Sequence, residues 1–160
     1  MWLKSNGLNQ FMPPGYTLHI RETLQYCHLL HVSHLVMTSR LASIAPDIEN
    51  TLATLPQSRR TTIALEAALW AIKKLDADSE ETSSLITSND PALAESFARH
   101  YDALYFETED SSPSDSFRYF CLARATSSLA FALTANDSEA IYEAIIATDD
   151  VLSIREMLNS

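Results

Sequence analysis

Residues 59–75, RRTTIALEAALWAIKKL, decide the fold. From Thr61 onward the stretch has no Gly or Pro and few β-branched residues, so its helix propensity is high. Ile63, Ala64, Leu65, Ala67, Ala68, Leu69, Trp70, Ala71, Ile72 and Leu75 cover most of a helical circumference. The polar remainder is a stripe at Arg59, Thr62, Glu66 and Lys73. A helix with so little polar face is surrounded by other helices. Lys73 and Lys74 fall in its last turn, where the negative end of the macrodipole favours cations. The stretch is expected at the centre of an all-α domain.

Working outward, the 160 residues suit one domain, able to bury roughly 70% of the surface its unfolded chain exposes. The chain is 46% hydrophobic and 20% charged, the composition of a globular protein. Only two glycines occur, Gly7 and Gly15. Tight hairpins need Gly or Asn-Gly at positive φ, and their absence from the rest of the chain favours helices. Phosphate-cradling glycine loops are excluded on the same ground.

Toward the N-terminus, residues 1–16 read as an irregular arm broken by Asn6-Gly7 and Pro13-Pro14-Gly15. Residues 17–45 carry Leu24, Cys27, Leu30, Leu35, Met37, Leu41 and Ile44 at helical intervals, as one helix or as two broken near Ser33. A short helix over 47–55 turns Ile48, Leu52 and Leu55 inward; Pro56 stops it, and Ser58 is expected to cap the central helix.

Toward the C-terminus, residues 76–81 form an acidic link in which Asp78 and Glu81 make a capping pair, opening a short helix to about Ile86. Asp90-Pro91 is a strong start signal for a helix to about Tyr105 that buries Leu93, Phe97, Tyr101 and Leu104. Residues 106–112, FETEDSS, read as a solvated acidic loop. Ser112-Pro113 repeats the start signal for a helix over 113–134. Its Ala123, Ala125, Ser127, Ser128, Ala130 and Ala132 make it slender, and it is expected to lie against 63–72. Asn136 is expected in the left-handed conformation, with Asp137 or Ser138 capping a last stretch, 139–158, broken at Asp149-Asp150. The expectation is a single-domain bundle of seven or eight helices over 1–160.

The net charge of −10 is uneven: residues 1–75 balance at +3 and residues 76–160 at −13. An acidic half repels phosphate backbones and attracts a cationic protein. Cys27 and Cys121 read as two small buried thiols, which suits a reducing cytosol. The longest uncharged stretch, 23–39, holds Gln25 and three His and is no membrane span. No signal-peptide core is expected in the first residues.

Four candidate sites emerge. Cys27-His28-x-x-His31-x-x-His34 carries zinc-type donors, but the three imidazoles turn around a helix and read as surface histidines, so no metal is assigned. Glu66 interrupts an apolar run and is expected to be half exposed or paired with a cation such as Arg124. Aromatic and acidic residues alternate at Tyr101, Asp102, Tyr105, Phe106, Glu107, Glu109, Asp110 and Asp115, which is how protein interfaces set anchors inside a charged rim. The same reading extends to the acidic link at Asp76, Asp78, Glu80 and Glu81. The fourth site is Arg21 with His28. Their spacing resembles the arginine–histidine motif of HEPN-domain ribonucleases, which implies phosphate binding by the arginine and proton transfer by the histidine.

In size, acidity and helicity, and in the flavour of residues 123–145, ARATSSLAFALTANDSEAIYEAI, the chain resembles the immunity proteins of bacterial toxin systems such as contact-dependent inhibition. The resemblance is one of class and carries over no residue. It implies a cytoplasmic, non-enzymatic inhibitor without cofactor, whose partner is a basic protein toxin, a nuclease above all. A structural adaptor bundle is the remaining alternative.

Overall fold

Proline and aspartate punctuate the folded chain much as they punctuate the sequence. The computed structural model describes residues 39–76 and 79–160, which are helical with no strand among them. The helices are α1 Arg40–Ile44, α2 Pro46–Thr54, α3 Gln57–Asp76, α4 Glu80–Ser88, α5 Pro91–Thr108, α6 Pro113–Leu133, α7 Asp137–Thr148 and α8 Val151–Asn159. Pro46, Pro91 and Pro113 sit in the first turns of α2, α5 and α6, where the missing N–H has no intrahelical partner to lose. Asp90 caps α5 by accepting from the Ala92 N–H at 2.9 Å. The break at 149–150 is present: Asp149 is left-handed, with φ 51°, and Asp150 caps α8 by accepting from the Ser153 N–H at 3.0 Å.

Several boundaries differ from expectation, each for a local reason. Ser39 is extended and accepts from the Ala42 N–H at 3.1 Å, so α1 starts at Arg40; the rest of the helical reading of 17–45, with its break near Ser33, lies outside the described residues. Ser58 lies inside α3, whose first turn closes on the Pro56 carbonyl. Ser79 caps α4, accepting from the Thr82 N–H at 3.0 Å, while Asp78 of the expected capping pair lies outside the described residues. Thr108 extends α5 through three residues of the expected acidic loop, its hydroxyl donating to the Leu104 carbonyl at 2.7 Å. Ala135 holds the left-handed position after α6, at φ 59°, while Asn136 has φ −90° and its side chain makes no capping bond.

The core forms where α3, α6 and α7 meet. In α3, Ile63, Ala64, Ala67, Ala68, Ala71 and Ile72 are at most 1% exposed, and Leu65, Leu69 and Trp70 pack half-buried at the margin. The expected all-round burial of this helix is therefore realised on one broad face. In α6, Ala125, Ser128, Leu129 and Ala132 are buried, so backbones approach closely, and the Ser128 hydroxyl donates to the Ala140 carbonyl of α7 at 2.6 Å. As expected, α6 lies on α3; it also packs along α5 and α7. Ile48 and Leu52 of α2, Ile141 and Ile145 of α7 and Ile154 of α8 complete the core, each large side chain stabilising the fold by about 1.5–3 kcal/mol. A smaller cluster of Tyr101, Leu122 and Ala123 joins α5 to α6. Two large apolar residues point outward, Ile44 at 41% and Leu152 at 68% exposure. No helix among the described residues is long and apolar enough to cross a membrane.

Candidate functional site

Folding redistributes the charge that the sequence divides so unevenly. Arg40 of α1 binds Glu139 and Glu143 of α7 at 2.5 and 2.7 Å, and Arg60 of α3 lies 3.7 Å from Asp137. Lys74 binds Asp150 at 2.8 Å, and Asp47 binds Arg155 at 2.7 Å. Four of these pairs set a cation of the basic half against a carboxylate of the acidic half, and Asp47–Arg155 runs the other way; all form because α1, α2 and α3 pack against α7 and α8. A second half negative throughout is therefore not what the fold presents. Asp137 and Glu143 are buried, and their charges are spent inside the bundle.

The sequence-selected acids part in the same way. Tyr101 is buried and stacks on Tyr119 at a centroid distance of 6.4 Å. Asp102 is held by Arg124, whose Nη2 donates to both carboxylate oxygens at 2.8 and 2.9 Å. These two residues hold α5 to α6 and leave the candidate interface. Arg124 is thereby committed to Asp102 and Glu143, so the expected pairing with Glu66 is not made, and Glu66 is exposed.

Glu107, Glu109, Asp110 and Asp115 remain exposed where α5 turns into α6. The turn is closed by the Thr108 carbonyl, which accepts from Ser111 and Ser112 N–H groups at 3.1 and 2.9 Å. On this corner stand two large exposed aromatics, Phe106 at 69% and Phe117 at 68% exposure. Tyr105 links Phe106 to Phe120 of α6, its ring 4.9 Å from the first and 5.9 Å from the second. The Tyr105 hydroxyl donates to Glu109 at 3.3 Å, and the negative charge of Glu109 pushes the phenol above its ordinary pKa. Asp115 accepts from the Ser112 hydroxyl at 2.6 Å. Over residues 106–118 four carboxylates face one arginine, Arg118.

Phe106, read from the sequence as the first residue of a loop, lies in the last turn of α5, and Phe117 of α6 faces solvent. The small residues of α6 account for the outward ring. Ser116, Ala123, Ala125, Ser128 and Ala132 mark the face pressed against neighbouring backbones, and Phe117 stands about 100° from Ser116 around the axis.

Glu80 and Glu81 are exposed in the first turn of α4, where the helix dipole stabilises them. Asp76 ends α3, and Asp78 lies outside the described residues. Cys27, Arg21, His28, His31 and His34 lie outside them too, so neither the zinc-type cluster nor the HEPN-like pair has a described geometry. Cys121 is buried, and burial pushes its thiol pKa up. The chain matches no protein-family model, no curated protein and no solved structure.

Proposed function

We propose that this chain is a cytoplasmic immunity-type inhibitor, which docks on a basic nuclease toxin and covers its active site. The observation that carries the reading is the α5–α6 corner, where Phe106 and Phe117 stand exposed among Glu107, Glu109, Asp110 and Asp115. Interface centres are built from aromatic anchors, and their polar rims steer encounter and register. A nuclease cleft is lined with cations that hold phosphates. Carboxylates on a rigid helical corner satisfy the same cations, and the aromatic rings supply apolar contact that a nucleic-acid backbone lacks. Inhibition of this kind requires no catalytic group, cofactor or metal from the inhibitor.

The test starts from the genes on either side of this one. Their products are purified, titrated against this chain by calorimetry, and assayed for nucleic-acid cleavage with and without it. A basic neighbour that binds and loses its activity supports the reading, provided that the Glu107→Lys, Glu109→Lys, Asp110→Lys variant releases it. If neither neighbour binds, or if the charge-reversed variant inhibits equally well, the reading is overturned.

A further inference from the structure

Between the last turn of α5 and the first turns of α6 lies an open hollow of about 330 Å³, lined by Tyr105, Glu109, Pro113, Ser116, Phe117 and Phe120. Three of its described walls are aromatic, and the one charged group among the described residues that line it is the Glu109 carboxylate. Ligand pockets run from roughly 300 to 1,000 Å³, so this hollow suits a single side chain better than a cofactor. Aromatic faces carry negative quadrupoles that attract a cation, and a carboxylate beside them completes the charge.

The end of α5 supplies an independent indication of the same sign. A helix C-terminus is its negative pole and is ordinarily balanced by Lys or Arg. The last turn of α5 contains no basic residue and continues instead into Glu107, Glu109 and Asp110. The N-terminus of α6 balances Asp115, which lies in its first turn. Among the described residues Glu107, Glu109 and Asp110 make no ion pair, so the negative end of α5 is open to a cation. Between the two basic side chains, the guanidinium is planar, weakly hydrated and able to stack on rings while it pairs with a carboxylate, whereas an ammonium is a strongly hydrated point charge.

We infer that this hollow receives one arginine side chain of the partner, its guanidinium stacked among Tyr105, Phe117 and Phe120 and paired with Glu109. The inference rests on the docking reading above and names the group that the corner grips.

The experiment is a titration of the full ¹⁵N-labelled chain, followed by NMR, with acetyl-Gly-Arg-Gly-amide and with the same peptide carrying citrulline, the neutral isostere. The arginine peptide is expected to shift the amides of residues 105, 109, 117 and 120 saturably, and the citrulline peptide to bind about tenfold more weakly or not at all. Glu109→Gln and Phe117→Ala should each abolish the saturable shift, whereas Glu95→Gln, on the exposed middle of α5, should leave it unchanged. Because Phe117 is exposed, its replacement is not expected to unfold the chain, and a thermal melt checks this. Absence of a saturable shift, an equal response to citrulline, or indifference to both variants overturns the arginine site. Should the peptide fail while a neighbouring toxin still binds by calorimetry, the hollow is refuted and the docking reading stands. Should the peptide bind and no neighbour do so, the docking reading falls and the arginine site remains.

Discussion

The Nη2 of Arg124 donates to both oxygens of Asp102, at 2.8 and 2.9 Å, while its Nη1 lies 3.5 Å from the buried Glu143. Arg40 holds the other oxygen of Glu143 at 2.7 Å, so one run of alternating charge ties α5, α6, α7 and α1 together. This run makes Asp102 a structural residue that ties α5 to α6.

Removing the centre of that run should be costly. Arg124→Ala leaves Glu143, 2% exposed, with Arg40 as its remaining ion-pair partner, and frees Asp102 from α6. Loss of one partner of a buried pair costs about 3–5 kcal/mol, and the 23% exposure of Arg124 lowers the expectation here to about 2 kcal/mol. Asp102→Asn, at a more exposed position, should cost about 0.5–1 kcal/mol. Urea denaturation of the two variants checks the ranking, and equal losses would show that Glu143 depends little on Arg124.

Acid should weaken the fold through a second set of pairs. Hydrogen bonds from Lys74 and from the backbone and hydroxyl of Ser153 hold the Asp150 carboxyl at about 2, and the hydrogen bond from Arg155 lowers that of Asp47. Both groups favour ionisation in the folded state, against an unfolded value of about 3.9. Their contribution is therefore full above the unfolded pKa and is lost as the pH falls from about 4 toward 2. Asp150→Asn should be less stable than wild type at pH 7, and the difference should close by about pH 2. Thermal melts across that range measure it.

The contact between α6 and α7 should tolerate little change of volume. Ser128 is fully buried and its hydroxyl donates to the Ala140 carbonyl at 2.6 Å. Ser128→Ala removes one hydrogen bond and should cost about 1 kcal/mol. Ser128→Leu forces two close backbones apart and should cost about 3 kcal/mol or more. A smaller effect for leucine than for alanine, measured by denaturation, would contradict the packing described.

Much of this architecture was legible from spacing alone. The Asp90-Pro91 cap, the break at Asp149-Asp150 and the slender face of α6 against α3 each follow from local residue chemistry, and local chemistry can be read one turn at a time. The pairs between Arg40 and Glu139 or Glu143 are 99 and 103 residues apart in sequence, and no periodicity announces them. That is why the acidic half looked more available than it is. Phe117 could not be placed from spacing for a related reason. A large aromatic in a helix is usually core, but here alanines and serines occupy the close-packed face and turn the ring outward. Of the residues picked out from the sequence, Tyr105, Phe106, Glu107, Glu109, Asp110 and Asp115 lie together at the α5–α6 corner, whereas Tyr101 is buried; the exposure of Phe117 beside them could not be read from spacing.

Charge reversal should tell the two exposed acidic surfaces apart. Arg59 and Arg60 are unsuitable as controls, because Arg59 reaches the Met157 carbonyl at 3.4 Å and Arg60 lies beside buried Asp137, so reversal there disturbs the fold. Glu80→Lys with Glu81→Lys is the better comparison, since both side chains are exposed at the start of α4. It should cost roughly 0.3–1 kcal/mol of stability per residue through the helix dipole and leave toxin association unchanged. Glu109→Lys with Asp110→Lys should instead slow association about tenfold or more at low salt, and the gap should narrow as ionic strength rises and the Debye length falls below about 10 Å. Stopped-flow association rates at several salt concentrations decide the matter. If reversal at α4 slows association more than reversal at the α5–α6 corner, the partner binds the acidic link, and the corner is not the docking face.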